Sequence, residues 1–357
     1  MRLPKAVSKH KSVILMLLGL LAFIVYLTSF VGIASLFELI SKLNFAQYSL
    51  YYSIAIAALF LSVFFDSMIW HSLLQGLDVK MKLRKVFLYN WIGNFVEMVI
   101  PCETVCGEVT RIYLAKKETN QNLGTTAAPI ITSRILSTFV YTGGLLAGSL
   151  ILVATQKMPS YLLGTLLLVS VGTITMIGVV LYLALKESAA EKLVSVVMVF
   201  VKIVTKSKLK QEQQREKLRV SLYSFSEAFR TYKKRPMLLV KPIIYAVVAW
   251  VFTLLVYLMV FYSLNFTAIS LVSLAMVYCV SSTVETLTAG FPVGAVEITM
   301  ISLYTALGVP IVIAGAATTL TRLLTFWVQI MVGYPVFQFT GLKNLLKGGF
   351  SEALLET

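Results

Sequence analysis

IPCETVCGEV (residues 100–109) and GFPVGAVEIT (290–299) share one order of parts: apolar residues, a proline, a glycine, then a glutamate. A long apolar segment with a single arginine follows each, AAPIITSRILSTF (127–139) after the first and AATTLTRLLTF (316–326) after the second. Pro101, Glu108 and Arg134 in one copy answer to Pro292, Glu297 and Arg322 in the other. Glutamate and arginine stand 26 positions apart in the first copy and 25 in the second. Both copies are set in sequence apolar enough for a membrane. A charge in hydrocarbon is costly, so it faces a cavity, pairs with another group or marks a pathway. Broken apolar segments at corresponding positions of two halves point to a transporter's binding site.

The composition fits that setting. Of 357 residues, 58% are hydrophobic and 13% charged, against roughly 25% charged in soluble domains. The chain reads as one all-α, polytopic integral membrane domain over 1–357. A net charge of +15 would suit nucleic acid, but the charges cluster in loops between apolar runs, which signals membrane orientation and attraction to anionic lipid instead. Three cysteines, Cys102, Cys106 and Cys279, give no disulfide framework and no zinc-ligand spacing. The first apolar run is too long for a signal-peptide core and reads as a retained span.

Spans of about 20 apolar residues read at 12–37, 48–74, 125–154, 160–186, 237–263 and 310–340. The regions 86–115 and 271–308 are interrupted, at Ile100-Pro101-Cys102 with Gly107 and at Gly290-Phe291-Pro292 with Gly294. Their halves are too short to cross alone, so each region is expected to be a re-entrant helix pair lining a watery space. With the N-terminus inside, 26 of the 31 Lys and Arg fall on the cytoplasmic side, and only Lys42 and Lys157 fall outside. That asymmetry supports cytoplasmic termini and a plasma-membrane location. It also makes 86–154 a first repeat and 271–340 a second, inverted one. Between them, 187–235 is a basic cytoplasmic segment. Its Leu218, Leu222, Phe225 and Phe229 fall on one helical face, for lying on the inner membrane surface or packing on the bundle.

The candidate site residues follow from the charges. Arg134 and Arg322 either lock the bundle through glutamates or present guanidinium groups to a phosphate, which their bidentate fork suits. Glu108 and Glu297, placed in the first turn of each returning half-helix, either cap it, pair with arginine, or carry protons. Arg111, three residues past Glu108, either pairs with it or meets substrate. Glu97 and Glu285 stand shortly before the breaks and could face the same cavity. Asp66 in its span and Asn94 in the first half-helix are secondary candidates. Asp66, like Asn90 and Asn94, is read first as making polar packing contacts. His71 reads as interfacial. No Ser/His/Asp order, phosphate-binding glycine loop or HExxH occurs, so enzyme chemistry is not expected. Neither a metal nor a cofactor is implied.

Gly93-Asn94-Phe95 through Pro101, Gly107-Glu108-Val109 and Arg111-Ile112-Tyr113-Leu114 resemble a known membrane family, as do Gly290-Phe291-Pro292-Val293-Gly294 through Glu297, Leu307-Gly308-Val309-Pro310 and Thr321-Arg322-Leu323-Leu324. The chain resembles, over roughly 10–345, the flippase-like transmembrane region of lysylphosphatidylglycerol synthases (the multiple peptide resistance factor family) and its stand-alone relatives. The resemblance implies a lipid-translocating bundle around a central cavity, with roles for Glu108, Arg111, Arg134, Glu297 and Arg322. The chain differs at CETVC (102–106), where a glycine-rich run is expected. It ends about 17 residues past its last span, so the soluble aminoacyl-transfer domain of the full synthases is not expected.

The sequence therefore leads to a flippase-like transporter. Its substrate would be an anionic or aminoacylated phospholipid, or a polyprenyl-phosphate-linked sugar. Membrane lipids are the expected partners, with a homo-oligomer or a lipid-synthesis protein as further ones. The alternatives are a membrane-embedded lipid-modifying transferase or hydrolase, and a structural subunit of a lipid-modifying complex.

Overall fold

The computed structural model describes residues 43–99, 103–154, 208–287 and 292–339, with isolated positions elsewhere in 21–41 and 164–182. The expected spans 12–37 and 160–186, the break centres 100–102 and 288–291, and the side chains of Leu218 and Leu222 lie outside the described residues. The described residues form helices and no strand. In chain order these are α1 (Phe45–Gly76), α2 (Leu83–Val99), α3 (Glu103–Thr119), α4 (Leu123–Ala154), α5 (Lys208–Lys234), α6 (Met237–Ser263), α7 (Leu271–Leu287), α8 (Pro292–Ala306), α9 (Ile311–Arg322) and, after a π-helical turn at Leu323–Val328, α10 (Gln329–Phe339).

Four stretches are long and apolar enough to cross a bilayer: Phe45–Gly76, Leu123–Gly148, Met237–Ser263 and Ile311–Phe339. α1 starts where the Asn44 side chain accepts the N–H of Ala46 at 3.0 Å, satisfying a donor that the first turn leaves unpaired. It then packs along α6. Ser62 and Thr253 hydrogen-bond at 2.7 Å, and the Phe65 and Phe252 rings stack at 5.7 Å. The largest apolar core gathers Ala55, Leu59, Val260, Phe261, Leu274, Met300 and Tyr304 from α1, α6, α7 and α8.

The short helices sit between these. α2 and α3 have 17 residues each, about 25 Å at 1.5 Å per residue, less than the hydrocarbon thickness of about 30 Å. They run antiparallel. Tyr89 donates to Glu118 at 3.2 Å, while nearer the break Glu97 lies against Gly107. Gly107 does not interrupt the chain as expected; it lies inside α3. A Cβ there would stand 2.7 Å from the Gly93 carbonyl oxygen, so glycine serves close backbone approach. Helix also resumes earlier than expected, at Glu103. Glu108 is therefore in the second turn, too far along for the end-of-helix effect invoked for it. Cys106 is disulfide-bonded, while Cys279 is free and buried. One bridge does not make a stapled framework.

α7 and α8 have 17 and 15 residues and pack on each other. Gly294 has φ 95°, a conformation that side chains resist, and regular helix resumes after it. The two halves dock reciprocally. α4 of the first packs on α7 of the second through Leu145, Met276 and Val280. α10 of the second packs on α2 of the first, with Gly333 against Phe95.

The basic segment's described part, α5, packs on the bundle. Phe229 and Ala228 bury against Ala128 of α4, with Phe225 alongside. A methyl at Gly124 would land on the Ser221 carbonyl. Tyr232 donates to the Leu73 carbonyl at 2.9 Å, tying α5 to the end of α1.

Candidate functional site

Every charged residue singled out in the two copies is drawn into one of two clusters. In the first, α2 supplies Glu97 and Asn94, α3 supplies Glu108 and Arg111, and α4 supplies Arg134. Arg134 donates through Nε to Glu108 Oε1 and through Nη2 to Glu97 Oε2 at 3.2 Å. Arg111 pairs with Glu108 at 2.9 Å, approaches Glu97 at 3.7 Å and donates to Asn94. The Asn94 amide then donates to Gln329 at 3.0 Å, joining the first cluster to α10.

The second cluster has the same wiring. Arg322 donates through Nε to Glu297 Oε1 at 2.8 Å and through Nη1 to Glu285 Oε1 at 3.0 Å. In both copies the guanidinium bridges one glutamate from each short helix. The sequence separations match as well: 37 and 26 in the first cluster, 37 and 25 in the second. Glu97 and Glu285, placed in the sequence only as possible neighbours of the cavity, are thus the second halves of two equivalent bridges. Glu297 also accepts the Gly294 N–H at 2.6 Å, so for this residue capping and pairing both hold.

The copies differ in two ways. Three residues past the second glutamate stands Arg111 in the first cluster and the buried Met300 in the second. Among the described residues the first cluster therefore sets two carboxylates beside two guanidinium groups, and the second two carboxylates beside one. Exposure differs too. The Arg134 side chain is 44% exposed, whereas Arg322 is 6% and Glu297 4% exposed. Arg322 is further enclosed by Phe326, whose ring centroid lies 5.0 Å from the guanidinium carbon, a cation–π distance. The π-helical turn begins immediately after Arg322. Such turns are frequent at functional sites.

Tyrosines from α4, α6 and α7 form a row. The Tyr141 and Tyr278 rings meet edge-on at 6.2 Å, and Tyr278 meets Tyr257 at 5.8 Å. Asp66 stands apart from both glutamate–arginine bridges. It accepts a hydrogen bond from Asn90 at 3.0 Å, and it shares a small cavity with Trp70, Asn90, Glu108, Arg111 and Arg134. His71 is held at the end of α1 by the Met81 carbonyl at 3.1 Å. Among the described residues no group of three His, Cys, Asp or Glu is placed to hold a metal ion.

Sequence reasoning missed Gln329, Trp70 and the tyrosine row. Gln329 carried a signal, a lone amide in an apolar span. The tyrosines carried none, because aromatic residues are common throughout this chain.

The whole arrangement falls within residues 13–333, which match the family model described as "Lysylphosphatidylglycerol synthase TM region". The chain belongs to this family. Its relatives include a UPF0104 membrane protein of Pyrococcus horikoshii, 25% identical over 78% of this chain and 84% of the relative. Another, from Methanothermobacter thermautotrophicus, is 23% identical over 93% of this chain and 96% of the relative. A third, from Methanocaldococcus jannaschii, is 22% identical over 91% and 93%. No solved structure matches. Family membership and four membrane-length apolar helices make the chain an integral membrane protein of a lipid-related family. Within that family the duplicated bridge is built mostly from the residues that carried the resemblance.

Proposed function

We propose that this protein is a flippase-like lipid transporter of the plasma membrane, with both termini cytoplasmic. The observation that carries the reading is the duplicated glutamate–arginine–glutamate bridge, whose arginine is exposed in one copy and enclosed in the other. In this reading 86–154 and 271–340 are inverted repeats. The pairs α2–α3 and α7–α8 are re-entrant, and the head group passes between the clusters while its tails stay in the bilayer. Inverted repeats caught in unlike conformations give alternating access when they exchange them. Arg134 offers its guanidinium to a phosphate in the present state, and Arg322 would do so once the second repeat opens. The substrate class is an anionic or aminoacylated phospholipid, or a polyprenyl-phosphate-linked sugar. The phosphate goes to arginine, and any ammonium goes to the glutamates it leaves. Among the described residues the first cluster is neutral and the second carries one negative charge in excess, so an anion that takes an arginine leaves carboxylates for a cationic head group.

The test is translocation of fluorescent phosphatidylglycerol in proteoliposomes, with lipid mass checked before and after. The wild type is expected to move lipid without changing its mass, and Arg134→Ala and Arg322→Ala each to abolish movement while eluting as folded protein. Wild-type rates in both variants would end the proposal, and a change in lipid mass would favour an enzyme.

A further inference from the structure

The stretch Trp91–Phe95 of α2 is gripped from two sides. On one side Arg111 of α3 crosses it at Gly93, where a Cβ would stand 2.7 Å from the guanidinium carbon. Only glycine leaves the arginine this path. Arg111 is 3% exposed and ends on the next residue, donating through Nη2 to Asn94 Oδ1. Trp91 and Phe95 share the opposite face of the helix, and there α10 is seated by a second glycine. A Cβ at Gly333 would stand 3.0 Å from the Trp91 carbonyl oxygen. The Phe337 and Tyr334 rings meet that of Phe95 at 5.5 and 5.9 Å. Asn94 joins the two sides, because its amide nitrogen donates to Gln329 Oε1 at 3.0 Å. The two ends of one amide thus hold two different neighbours.

The position of Gln329 in the chain gives this junction its reach. Gln329 directly follows the π-helical turn Leu323–Val328, and that turn directly follows Arg322. Phe326, inside the turn, lies over the Arg322 guanidinium at 5.0 Å. A π-helical turn closes its hydrogen bonds over one residue more than the α-helix on either side, and such turns are rare. Six residues of irregular helix therefore separate the arginine of the second cluster from a side chain bonded into the first.

We propose that Asn94 and Gln329 are positioning residues that couple the two clusters. They hold Arg111 at one end and the π-turn at the other, so that a rearrangement of Arg111 reaches Arg322. An anion engaging the first cluster draws Arg111 away from Asn94. The Asn94 oxygen loses its donor, the amide turns, and Gln329 is released. The π-turn is then free to regain α-helical form, which changes the offset between its two ends by about 100° for each residue taken up. α10 stays seated on α2 through Gly333, so the Arg322 side of the turn is the side that swings, away from Glu285 and Glu297. The role in transport rests on the proposed function; the mechanical link from Arg111 to the turn does not.

The chain carries its own reporter, because Trp327 lies in the turn and is accompanied only by Trp70, Trp91 and Trp250. Full-length protein labelled with 5-fluorotryptophan, in phosphatidylcholine nanodiscs, gives one fluorine resonance for each. Trp327→Phe and Trp250→Phe assign the two that matter. Arg111→Gln is expected to shift the Trp327 resonance, and to leave it in place once Gln329→Met or Asn94→Asp has cut the link. Asn94→Asp keeps the oxygen that Arg111 uses and removes the amide whose hydrogen bond Gln329 accepts. Trp250, against Gly144 of α4, is expected to hold its resonance throughout and reports a folded bundle. Should Gln329→Met lose that signal, Asn94→Asp decides alone. A Trp327 resonance that Arg111→Gln fails to move, or moves equally with the link cut, would overturn the proposal. No lipid movement is needed, so this result and the translocation assay fail independently.

Discussion

Replacing either arginine by alanine removes the same bridge from equivalent places, yet the two variants should differ sharply in stability. In Arg322→Ala, Glu297 keeps its 4% exposure and loses its only cation among the described residues, with Met300 standing where the first cluster has Arg111. Removing one partner of a buried pair costs about 3–5 kcal/mol, because the remaining charge stays buried and uncompensated. In Arg134→Ala, Arg111 remains within 2.9 Å of Glu108 and 3.7 Å of Glu97, and the lost side chain was 44% exposed. Its removal should cost about 1 kcal/mol or less. Thermal unfolding in detergent, followed by tryptophan fluorescence, reads the difference. At roughly 2–4 °C per kcal/mol, Arg322→Ala should unfold about 6 °C or more below wild type, and Arg134→Ala within about 4 °C of it. A double change, Arg322→Met with Glu297→Gln, should recover most of the loss by neutralising both members. Equal shifts for the two single variants, or no recovery in the double, would refute the electrostatic reasoning.

Other changes test how the clusters are positioned. Gly107→Ala forces a methyl to 2.7 Å from the Gly93 carbonyl oxygen; it should cost about 1–3 kcal/mol as overpacking and lower translocation, measured by unfolding and lipid assay together. Gly124→Ala should separate α5 from α4, since its methyl meets the Ser221 backbone, and faster protease cleavage within 208–234 would report it. Tyr232→Phe removes the bond to the Leu73 carbonyl and should cost about 1 kcal/mol with little effect on translocation, as it lies away from both clusters.

Much of the site was legible because charge in an apolar chain is conspicuous. Arg134, Arg322, Glu108 and Glu297 announce themselves by type and spacing, and matching separations in two copies make a bridge the natural reading. What stayed hidden depends on the third dimension. Glu97 and Glu285 lie 37 residues from their arginines, and nothing local distinguishes them from cavity-lining acids. Asp66 read first as a packing residue, and it does accept a bond from Asn90; the cavity behind it comes from four helices whose approach no local pattern encodes. Gly107 looked like a break because glycine after proline usually is one, whereas here it is the small residue that lets α3 lie against α2.

The sequence by itself determined that the chain is helical and membrane-embedded. Those properties follow from apolar length and charge placement, which are one-dimensional quantities that the bilayer reads directly. Only the tertiary structure decided that one arginine is open and its counterpart enclosed, because exposure depends on which helices close over a side chain. Two stretches of matching spacing can therefore hold their arginines at different exposures within one fold.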